Sequence, residues 1–582
     1  MCVSPSDRGV GRRFNKQHAI RRAVSVAAFM IVPPLAGVAA LASDPTLTWP
    51  GFSGTPPEPQ QPNITGTTTI NATNLIATSS WNSTDAATNA AIIAFDLNTS
   101  LAGNSSGTRG SLIIPAAGAG TVYDVNPIGS VTSTNFDLEI NGALQAPTNQ
   151  EDANWGGNAA LFTFNSIKNG EITGTGSIDG QGGLGTNSWW TGTNGNPIST
   201  RPKIFTFSNG GTVLVSGLTL YNSPEEFITF GGSHPNAFTF NNLTISAPST
   251  SPNTDGIDPD GSDFLISNSN ISTGDDDIAI KAVSGGAEAQ YIAITNMTVG
   301  YGHGISLGTG LTAGVANIYV NNVNFTNTSF GFRMKTQPSN GTLVSNVNFN
   351  NVTMSNVLYP VYISSWYNNL GGFSYPTNAN NPTSPNNFGS AVTTFNSSTT
   401  PMWQNISFNN LTSSWTSTTI AGYQGSLAGL LYGLPANTGG TNTGVILGVT
   451  FNNVSLSAYQ GMSLAYAGTS SSPIAFIGNW AVNAATGQQF GTVTNPDNAN
   501  VGGSNPGNLR YWNGSSTLPF DGISYPLGAG GSANFNTWET SNVVYLTASA
   551  VPEPTTAALA VAGSALMLMR RRRKQQTDAD SA

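Results

Sequence analysis

The chain has 582 residues, of which 8% are charged, and its formal net charge is −9. A hydrophobic fraction of 38%, with 27 Phe and 11 Trp, can build a large core and argues against an intrinsically disordered protein. The acidic balance argues against a nucleic-acid partner, which requires a basic surface. The single cysteine is Cys2, so stability must come from burial and hydrogen bonding, as it can in a large repeat fold.

Residues 1–42 have the organisation of a secretory signal peptide. A basic stretch precedes an apolar run over 23–42, and Ala40-Leu41-Ala42 forms an A-x-A-like cleavage site. We therefore expect an exported protein. An uncleaved anchor helix is the alternative.

A short helix is predicted after the N-terminal segment 43–82. Ser83, Thr84 and Asp85 are N-cap residues, and the Ala-rich run Ala86–Phe95 follows them. A solenoid needs a cover over the open end of its core. We expect this helix to cap the N-terminal end.

A repeat of the form apolar-x-Asn-apolar-x-apolar fills the middle of the chain, for example at 240–245, 294–299 and 320–325. A single unit, with its short β segments and polar turns, is too small to bury a core. Stacked units predict an all-β fold, a right-handed parallel β-helix (solenoid) over 83–466, with one coil per repeat. We expect the asparagines to stack in ladders at the turns, where their side chains satisfy backbone groups. The shared asparagines lie 26 to 29 residues apart, at Asn242, Asn268, Asn296, Asn322 and Asn351.

The repeat has two alternative interpretations. Several of the asparagines also match glycosylation sequons, and a β-propeller has blades of about 40 residues, which exceed the observed spacing. The interval from Asn351 to Asn410 is twice a normal coil, and its excess at about 368–400 predicts a loop. Residues 467–549 have weaker periodicity and form either further coils or an irregular region.

The C-terminus has three parts in a fixed order. Pro552-Glu553-Pro554 is followed by a short apolar stretch over 557–569 and by a basic cluster at 570–574. This order resembles the PEP-CTERM sorting signals of bacteria, here at 550–574, with 575–582 as a cytoplasmic tail. The resemblance implies transient anchoring in the inner membrane, an exosortase-type sorting enzyme as partner, and a final location at the cell surface or outside the cell. A plain tail anchor is the alternative.

Without residues 1–42 and 550–582, the chain has eight basic residues against 24 acidic ones, and the acids are concentrated. Asp255 and Asp275 are 20 residues apart, close to one coil, which predicts that they lie on neighbouring strands about 4.8 Å apart. Carboxylates this close cannot all ionise independently, so at least one pKa should be raised. The cluster comprises Asp255, Asp258, Asp260, Asp263, Asp275, Asp276 and Asp277.

Cationic residues follow on the next coils. His303 stands in Gly302-His303-Gly304, about one repeat after the aspartates. Arg333 and Lys335 are two residues apart, so they share one face of a strand. Because Arg can bind a carboxylate bidentately, we expect this pair to hold an acidic substrate.

These strings, in this order, resemble the polygalacturonases of glycoside hydrolase family 28. A tyrosine at the family's substrate-contacting position, Tyr367, extends the likeness, which covers roughly 83–466. The strings are Asn253-Thr254-Asp255-Gly256, Gly274-Asp275-Asp276, Gly302-His303-Gly304 and Arg333-Met334-Lys335.

The resemblance implies an inverting hydrolase of α-1,4-galacturonosyl bonds in pectic polysaccharide, acting as a monomer without a metal or cofactor. Asp275 would be the general acid, kept protonated by its neighbours, and Asp255 and Asp276 would activate the attacking water. His303 would tune the acid through a hydrogen bond. The substrate would be bound by Asn253, Arg333, Lys335 and Tyr367.

The chain departs from the family at two places. Asp277 stands where relatives often have Cys, so it must be neutral or hydrogen-bonded if it is buried. Glu225-Glu226 stands where relatives commonly have an aromatic-His pair. The second departure leaves the specificity of the nearby subsites open.

Other functions and several details stay open at this level. A turn aspartate cluster can also bind calcium, a calcium-dependent pectate-lyase-like β-helix would cleave by elimination, and a non-catalytic β-helix would only adhere to polysaccharide. Arg201 and Lys203 could be plain charges at a strand edge. Endo or exo cleavage, and the choice among homogalacturonan, xylogalacturonan and rhamnogalacturonan, are not predicted.

Overall fold

A computed structural model describes residues 67–71, 85–95, 97, 109–116, 120–233, 235–283, 288–336, 342–365, 367, 400–415, 419–420, 423–424, 427–433, 446–458, 460–465, 474–484, 489–493, 510–511 and 546–549. The proposed signal peptide, the C-terminal signal and nearly all of the loop predicted at 368–400 lie outside these residues. Within the described ranges, no helix has the length and apolarity to cross a membrane.

The described chain is almost entirely β-structure. It has one α-helix, α1 (Ala86–Phe95), and one 3₁₀ helix (Asn149–Trp155). The strands in chain order are β1 Thr67–Asn71, β2 Arg109–Ile114, β3 Val122–Asp124, β4 Ile128–Val131, β5 Thr134–Ile140, β6 Ala143–Gln145, β7 Ala160–Asn165, β8 Lys168–Thr173, β9 Ser177–Asp179, β10 Lys203–Ser208, β11 Gly211–Ser216, β12 Thr219–Tyr221, β13 Ile228–Gly231, β14 Asn236–Asn241, β15 Thr244–Ser246, β16 Ile257–Asp258, β17 Ser262–Ser267, β18 Asn270–Ser272, β19 Ile278–Ile280, β20 Ala289–Gly300, β21 Ile305–Leu307, β22 Val315–Thr326, β23 Phe330–Lys335, β24 Leu343–Ser355, β25 Tyr359–Ser364, β26 Met402–Ser414, β27 Thr419–Ile420, β28 Tyr423–Gln424, β29 Leu427–Tyr432, β30 Ile446–Ala458, β31 Gln460–Ala465, β32 Ile474–Ala484, β33 Gln489–Val493, β34 Arg510–Tyr511 and β35 Leu546–Ser549.

These strands stack as coils of a parallel β-helix. One coil contributes three strands, as in β13, β14 and β15, and each strand pairs in parallel with its equivalent in the next coil, β16, β17 and β18. Connections between parallel strands of one sheet are right-handed in nearly all proteins. The predicted right-handed parallel β-helix is confirmed.

The sequence repeat coincides with the coil. Phe240 pairs with Ile266, which pairs with Ile294, so the first apolar position of one repeat lies over that of the next. The same register continues through Val320, Phe349, Phe408 and Phe451. All of these side chains are buried in the core. The direct pairing of β24 with β26 shows that the doubled interval is one coil with an insertion.

The predicted asparagine ladder is present, with a difference in its partners. Asn322 Nδ2 donates to Asn296 Oδ1 over 2.8 Å, and Asn296 Nδ2 donates to Asn268 Oδ1 over 3.1 Å. We expected the amides to satisfy backbone groups, whereas here they bond one another. Each of these asparagines has a φ of +51° to +55°, a left-handed conformation that Asn tolerates better than most residues. The ladder position is therefore also where the coil turns, for example at Asn242 between β14 and β15.

Helix α1 begins where the N-cap residues predict. Thr88 donates to the Asp85 carboxylate through both its backbone N–H and its hydroxyl, at 3.0 and 2.8 Å. Ala90 and Ile93 are buried in the same core cluster as the first coils, so the predicted capping helix is confirmed. The parallel sheet also reaches beyond 83–466 on both sides, since β1 pairs with β2 and β32 pairs with β30.

Candidate active site

The candidate site lies on the face of the β-helix that is formed by β13 and its equivalents in the other coils. Strands β16, β19, β21, β23 and β25 lie side by side there in parallel. The register Ile257 to Ile278 to Ile305 to Phe332 places the residues just before each strand next to one another. Six of the eight predicted site residues line one cleft of about 530 Å³, namely Asn253, Asp255, Asp275, Asp276, Lys335 and Tyr367.

Asp276 is at the centre of this face and is held by two cations. Arg333 Nη2 lies 2.8 Å from its Oδ1, and Lys335 Nζ lies 2.9 Å from its Oδ2. Burial by itself raises the pKa of Asp276, but the charges of Arg333 and Lys335 outweigh burial and hold the pKa well below its ordinary value. Asp276 is therefore an ionised carboxylate.

Arg333 and Lys335 do share a strand face, as expected, but their positions differ. The Arg333 side chain is 1% exposed and its Nε also donates to Ser306 Oγ, whereas Lys335 lines the cleft. The Lys335 ammonium lies 5.0 Å from the ring centroid of Tyr367, a cation–π distance. Lys335 and Tyr367 are the members of this group that a substrate in the cleft can reach.

Asp275 is bonded to His303, as the family resemblance implied, and also to Asn253. His303 Nδ1 lies 2.9 Å from Asp275 Oδ1, and Asn253 Nδ2 donates to Asp275 Oδ2 over 3.4 Å. Burial raises the pKa of Asp275, but the hydrogen bond with His303 and the charges of His303 and Arg333 outweigh it. The net direction is downward. The expectation that neighbouring groups keep Asp275 protonated is therefore wrong, because His303 and Arg333 outweigh burial and the charge of Asp276.

The raised pKa belongs to Asp255 instead. Burial raises it well above its ordinary value, and Asp258 and Asp275 add to the effect. The prediction that at least one pKa in the cluster is raised is thus confirmed. The register places Asp255 opposite Asp276, with Asp275 one residue away, because Ile257 pairs with Ile278.

Lys281 is a site residue that the sequence analysis did not identify. Its Nζ lies 3.8 Å from Asp255 Oδ2 and 3.7 Å from Asp258 Oδ2, and it lines the cleft. Burial raises the pKa of Asp258 to about 8, against the lowering effect of Lys281. A lysine directly after the apolar strand β19 was the available signal, since few basic residues remain outside the two ends.

Asp277, which stands where relatives often have Cys, points into the coil. It is fully buried and accepts hydrogen bonds from Thr273 N, Thr273 Oγ1 and Gly304 N at 3.0 to 3.1 Å. Burial raises its pKa, and these hydrogen bonds oppose the rise. Gly302 allows this approach, because a Cβ there would lie 2.5 Å from Asp277 Oδ2. Asp277 is a structural support of the Gly302-His303-Gly304 turn.

A second charged group lines the cleft on the N-terminal side of Asp255. Lys203 Nζ lies 2.5 Å from Glu225 Oε2 and 3.3 Å from Glu226 Oε2. Arg201 is buried and donates to the Pro224 and Pro252 carbonyls at 3.0 and 2.6 Å. Arg201 is therefore a loop anchor and not a plain strand-edge charge.

The same site contains a set of side chains with metal-ligand chemistry. Ligand atoms of Asp275, Asp276 and His303 lie within 4.8 Å of one another. Both oxygens of Asp276 are already bonded, however, to Arg333, Ser306 and Lys335. A metal ion at this position would compete with two fixed cations.

Comparison with known proteins gives a consistent match. The family model "Glycosyl hydrolases family 28" matches residues 105–422. An endo-polygalacturonase of Pectobacterium carotovorum is 33% identical over 289 residues, covering 46% of this chain and 71% of that protein. A polygalacturonase of Cryptomeria japonica is 33% identical over 245 residues, covering 40% of this chain and 45% of that protein. The solved polygalacturonase from Erwinia carotovora is 27% identical, with a TM-score of 0.48, and the match covers 70% of this chain and 96% of that structure.

Proposed function

Since the chain belongs to family 28 of the glycosyl hydrolases and is a glycosidase, we propose that it hydrolyses α-1,4-galacturonosyl bonds of pectic polysaccharide with inversion. The observation that carries the proposal is the Asp276 carboxylate between Arg333 and Lys335, one residue from the Asp275–His303 pair. In an acidic chain, two fixed positive charges are concentrated on this one carboxylate. The polygalacturonase names of the relatives support a pectic substrate.

Asp276 and Asp255 activate the attacking water in this proposal. Asp276 is ionised and fixed, so it can accept a hydrogen bond from water and orient it at the anomeric carbon. Asp255 lies on the preceding coil and lines the same cleft. As the C–O bond to the leaving sugar breaks, the water proton passes to this carboxylate pair and the water oxygen bonds the opposite face of the sugar.

Asp275 gives the proton to the leaving oxygen, and His303 supports it. Burial raises the pKa of Asp275, and the hydrogen bond and charge of His303 together with the charge of Arg333 outweigh this rise. A bound uronate adds negative charge and excludes water, and both effects raise the proton affinity of a carboxylate. The proton in the Asp275–His303 hydrogen bond then resides on Asp275 when the glycosidic oxygen is in place.

Substrate binding is divided between exposed and buried residues. We assign Lys335 and Tyr367 to direct contact with a uronate unit, because they line the cleft. Asn253 links Arg201 to Asp275 and so positions the acid while lining the same cleft. Arg333 is too buried for direct contact and acts by holding Asp276.

We also propose that the protein is exported and then sorted through its C-terminus. The support is the order of segments in 1–42 and in 550–574. Fractionation of cells that produce the chain with and without 550–582 tests this proposal. Retention of the shortened chain in the membrane would contradict it.

The activity is tested by product analysis on polygalacturonate, xylogalacturonan and rhamnogalacturonan. We expect new reducing ends from polygalacturonate, with no unsaturated sugars. Asp276→Asn serves as the inactive control, since it keeps the size of the side chain. Absence of cleavage on all three polymers would exclude the proposal and favour a polysaccharide-binding role.

A further inference from the structure

The two ends of the cleft have different charge. The coils place Arg201 just before β10 and Lys203 at its first residue, Glu225 and Glu226 just before β13, and Asp255 just before β16, in that order along the helix axis. Lys335 and Tyr367 lie at the other end, beyond Asp276. A polymer along the axis therefore crosses an end with glutamates and an end with a lysine.

Every cation at the glutamate end has a carboxylate partner. Lys203 bonds both Glu225 and Glu226, and Arg201 Nη2 lies 3.5 Å from Glu225 Oε1. Arg201 also donates to two backbone carbonyls and to Asn253. Lys281 is placed between Asp255 and Asp258. The three cations thus face four carboxyl groups.

A free uronate at this end would meet like charge. Burial already raises the pKa of Glu226, and the charge of Glu225 adds to the rise. One more carboxylate would have to be desolvated among these acids with no cation to receive it. The same wall contains the apolar residues Pro197 and Ile198, which an uncharged group can contact.

We propose that the end of the cleft formed by Pro197, Ile198, Glu225 and Glu226 accepts a sugar unit without a charged carboxylate. Such a unit is either methyl-esterified galacturonate or a neutral sugar. At the lysine end two cations, Arg333 and Lys335, share the carboxylate of Asp276, so a free uronate still meets an excess of positive charge there. The preferred substrate is therefore a galacturonan with mixed charged and uncharged units, a statement that rests on the proposed function.

The test compares three forms of one polymer: polygalacturonate, the same chain methyl-esterified at about half of its units, and the same chain reduced to galactose at about half of its units. We expect kcat/KM for the wild type to be several-fold higher on a half-modified form than on polygalacturonate. The two half-modified forms distinguish an ester from a neutral sugar as the preferred unit.

The variant Glu225→Gln/Glu226→Gln keeps the size of both side chains and leaves Lys203 with unbalanced positive charge. We expect the preference to move toward polygalacturonate by on the order of tenfold, because one attractive charge contact replaces a repulsive one. Glu151→Gln, an exposed glutamate on the 3₁₀ helix, is the matched control and should keep the wild-type preference.

The outcomes separate the two proposals. Cleavage by the wild type with polygalacturonate as the best substrate, and with the same ratios in the double variant, would overturn the inference and leave the proposed function intact. No cleavage of any of the three polymers by the wild type would overturn the proposed function itself. A shift of preference in the double variant but not in Glu151→Gln supports the inference.

Discussion

Arg333 Nη2 and Asp276 Oδ1 are 2.8 Å apart, and both side chains are 1% exposed. Neither charge has access to bulk water, so each depends on the other. We expect Arg333→Met to lower kcat by at least about a hundredfold, and the loss of a buried partner to cost about 3–5 kcal/mol of stability.

Arg333→Met should also change the dependence of kcat on pH. Without Arg333 the pKa of Asp276 rises, so the acidic limb of the kcat profile should move to higher pH, because a base must be ionised to act. Arg333→Lys keeps the charge and should keep more of the wild-type limb. An unmoved acidic limb in an active, folded Arg333→Met protein would show that Arg333 does not control Asp276.

An activated substrate distinguishes the catalytic roles of the three aspartates. An aryl galacturonide with an acidic leaving group needs little help from a general acid. Asp275→Asn should lose about 10²–10⁴-fold on the polymer and much less on the aryl substrate. Asp255→Asn and Asp276→Asn should lose activity on both. If Asp255→Asn were the variant whose activity survives on the aryl substrate, Asp255 would be the acid.

Lys281 should control the protonation of Asp255. Lys281→Met removes the cation that lies 3.8 Å from Asp255, so the already raised pKa of Asp255 should rise further. Asp255 is then ionised only at higher pH, and the acidic limb of kcat/KM moves upward. Lys281→Arg retains the charge and should restore most of the wild-type profile. Equal profiles for the Met and Arg variants would limit Lys281 to packing.

The asparagine ladder predicts a specific pattern of stability. Asn322 has a φ of +54° and donates to Asn296 over 2.8 Å. Asn322→Ala loses the hydrogen bond and places an unfavourable residue in the left-handed region, at a cost of about 1–3 kcal/mol. Asn322→Gly loses only the hydrogen bond and should cost less. Denaturant unfolding of both variants measures the difference, and an equal loss would remove the backbone argument.

Chelation separates hydrolysis from calcium-dependent elimination. Because Asp276 is occupied by Arg333 and Lys335, we expect the rate on polygalacturonate to be unchanged after treatment with a strong chelator and dialysis. The products should show no ultraviolet absorbance from an unsaturated uronate. Loss of activity that calcium alone restores would favour the lyase.

The repeat allowed much of the fold to be predicted, because Asn268, Asn296 and Asn322 recur at the length of one coil. A position that turns in the left-handed region favours Asn, so the spacing also locates the corner of each coil. The spacing of Asp255, Asp275 and His303 likewise predicted neighbouring strands. These features depend on local conformation and period, which a sequence carries directly.

The ion pairs of the site could not be obtained in this way. Arg333 and Lys335 share one strand face, and from there each side chain can reach either a substrate or a carboxylate one or two coils away. Their partner in the fold is Asp276, which the sequence alone does not identify. Lys281 reaches acids that flank β16, across a coil boundary. The direction of the Asp275 pKa depends on burial opposed by His303 and Arg333, so it was predicted wrongly.

The stereochemistry of the first product tests the central claim most directly. Polygalacturonate is cleaved by the wild-type protein inside an NMR tube, and the anomeric protons of the new reducing ends are recorded before mutarotation. We expect the β-anomer to appear first from the α-linked polymer. Asp275→Asn should be inactive under the same conditions. Initial formation of the α-anomer, or of an unsaturated sugar, would contradict inverting hydrolysis by Asp255, Asp275 and Asp276.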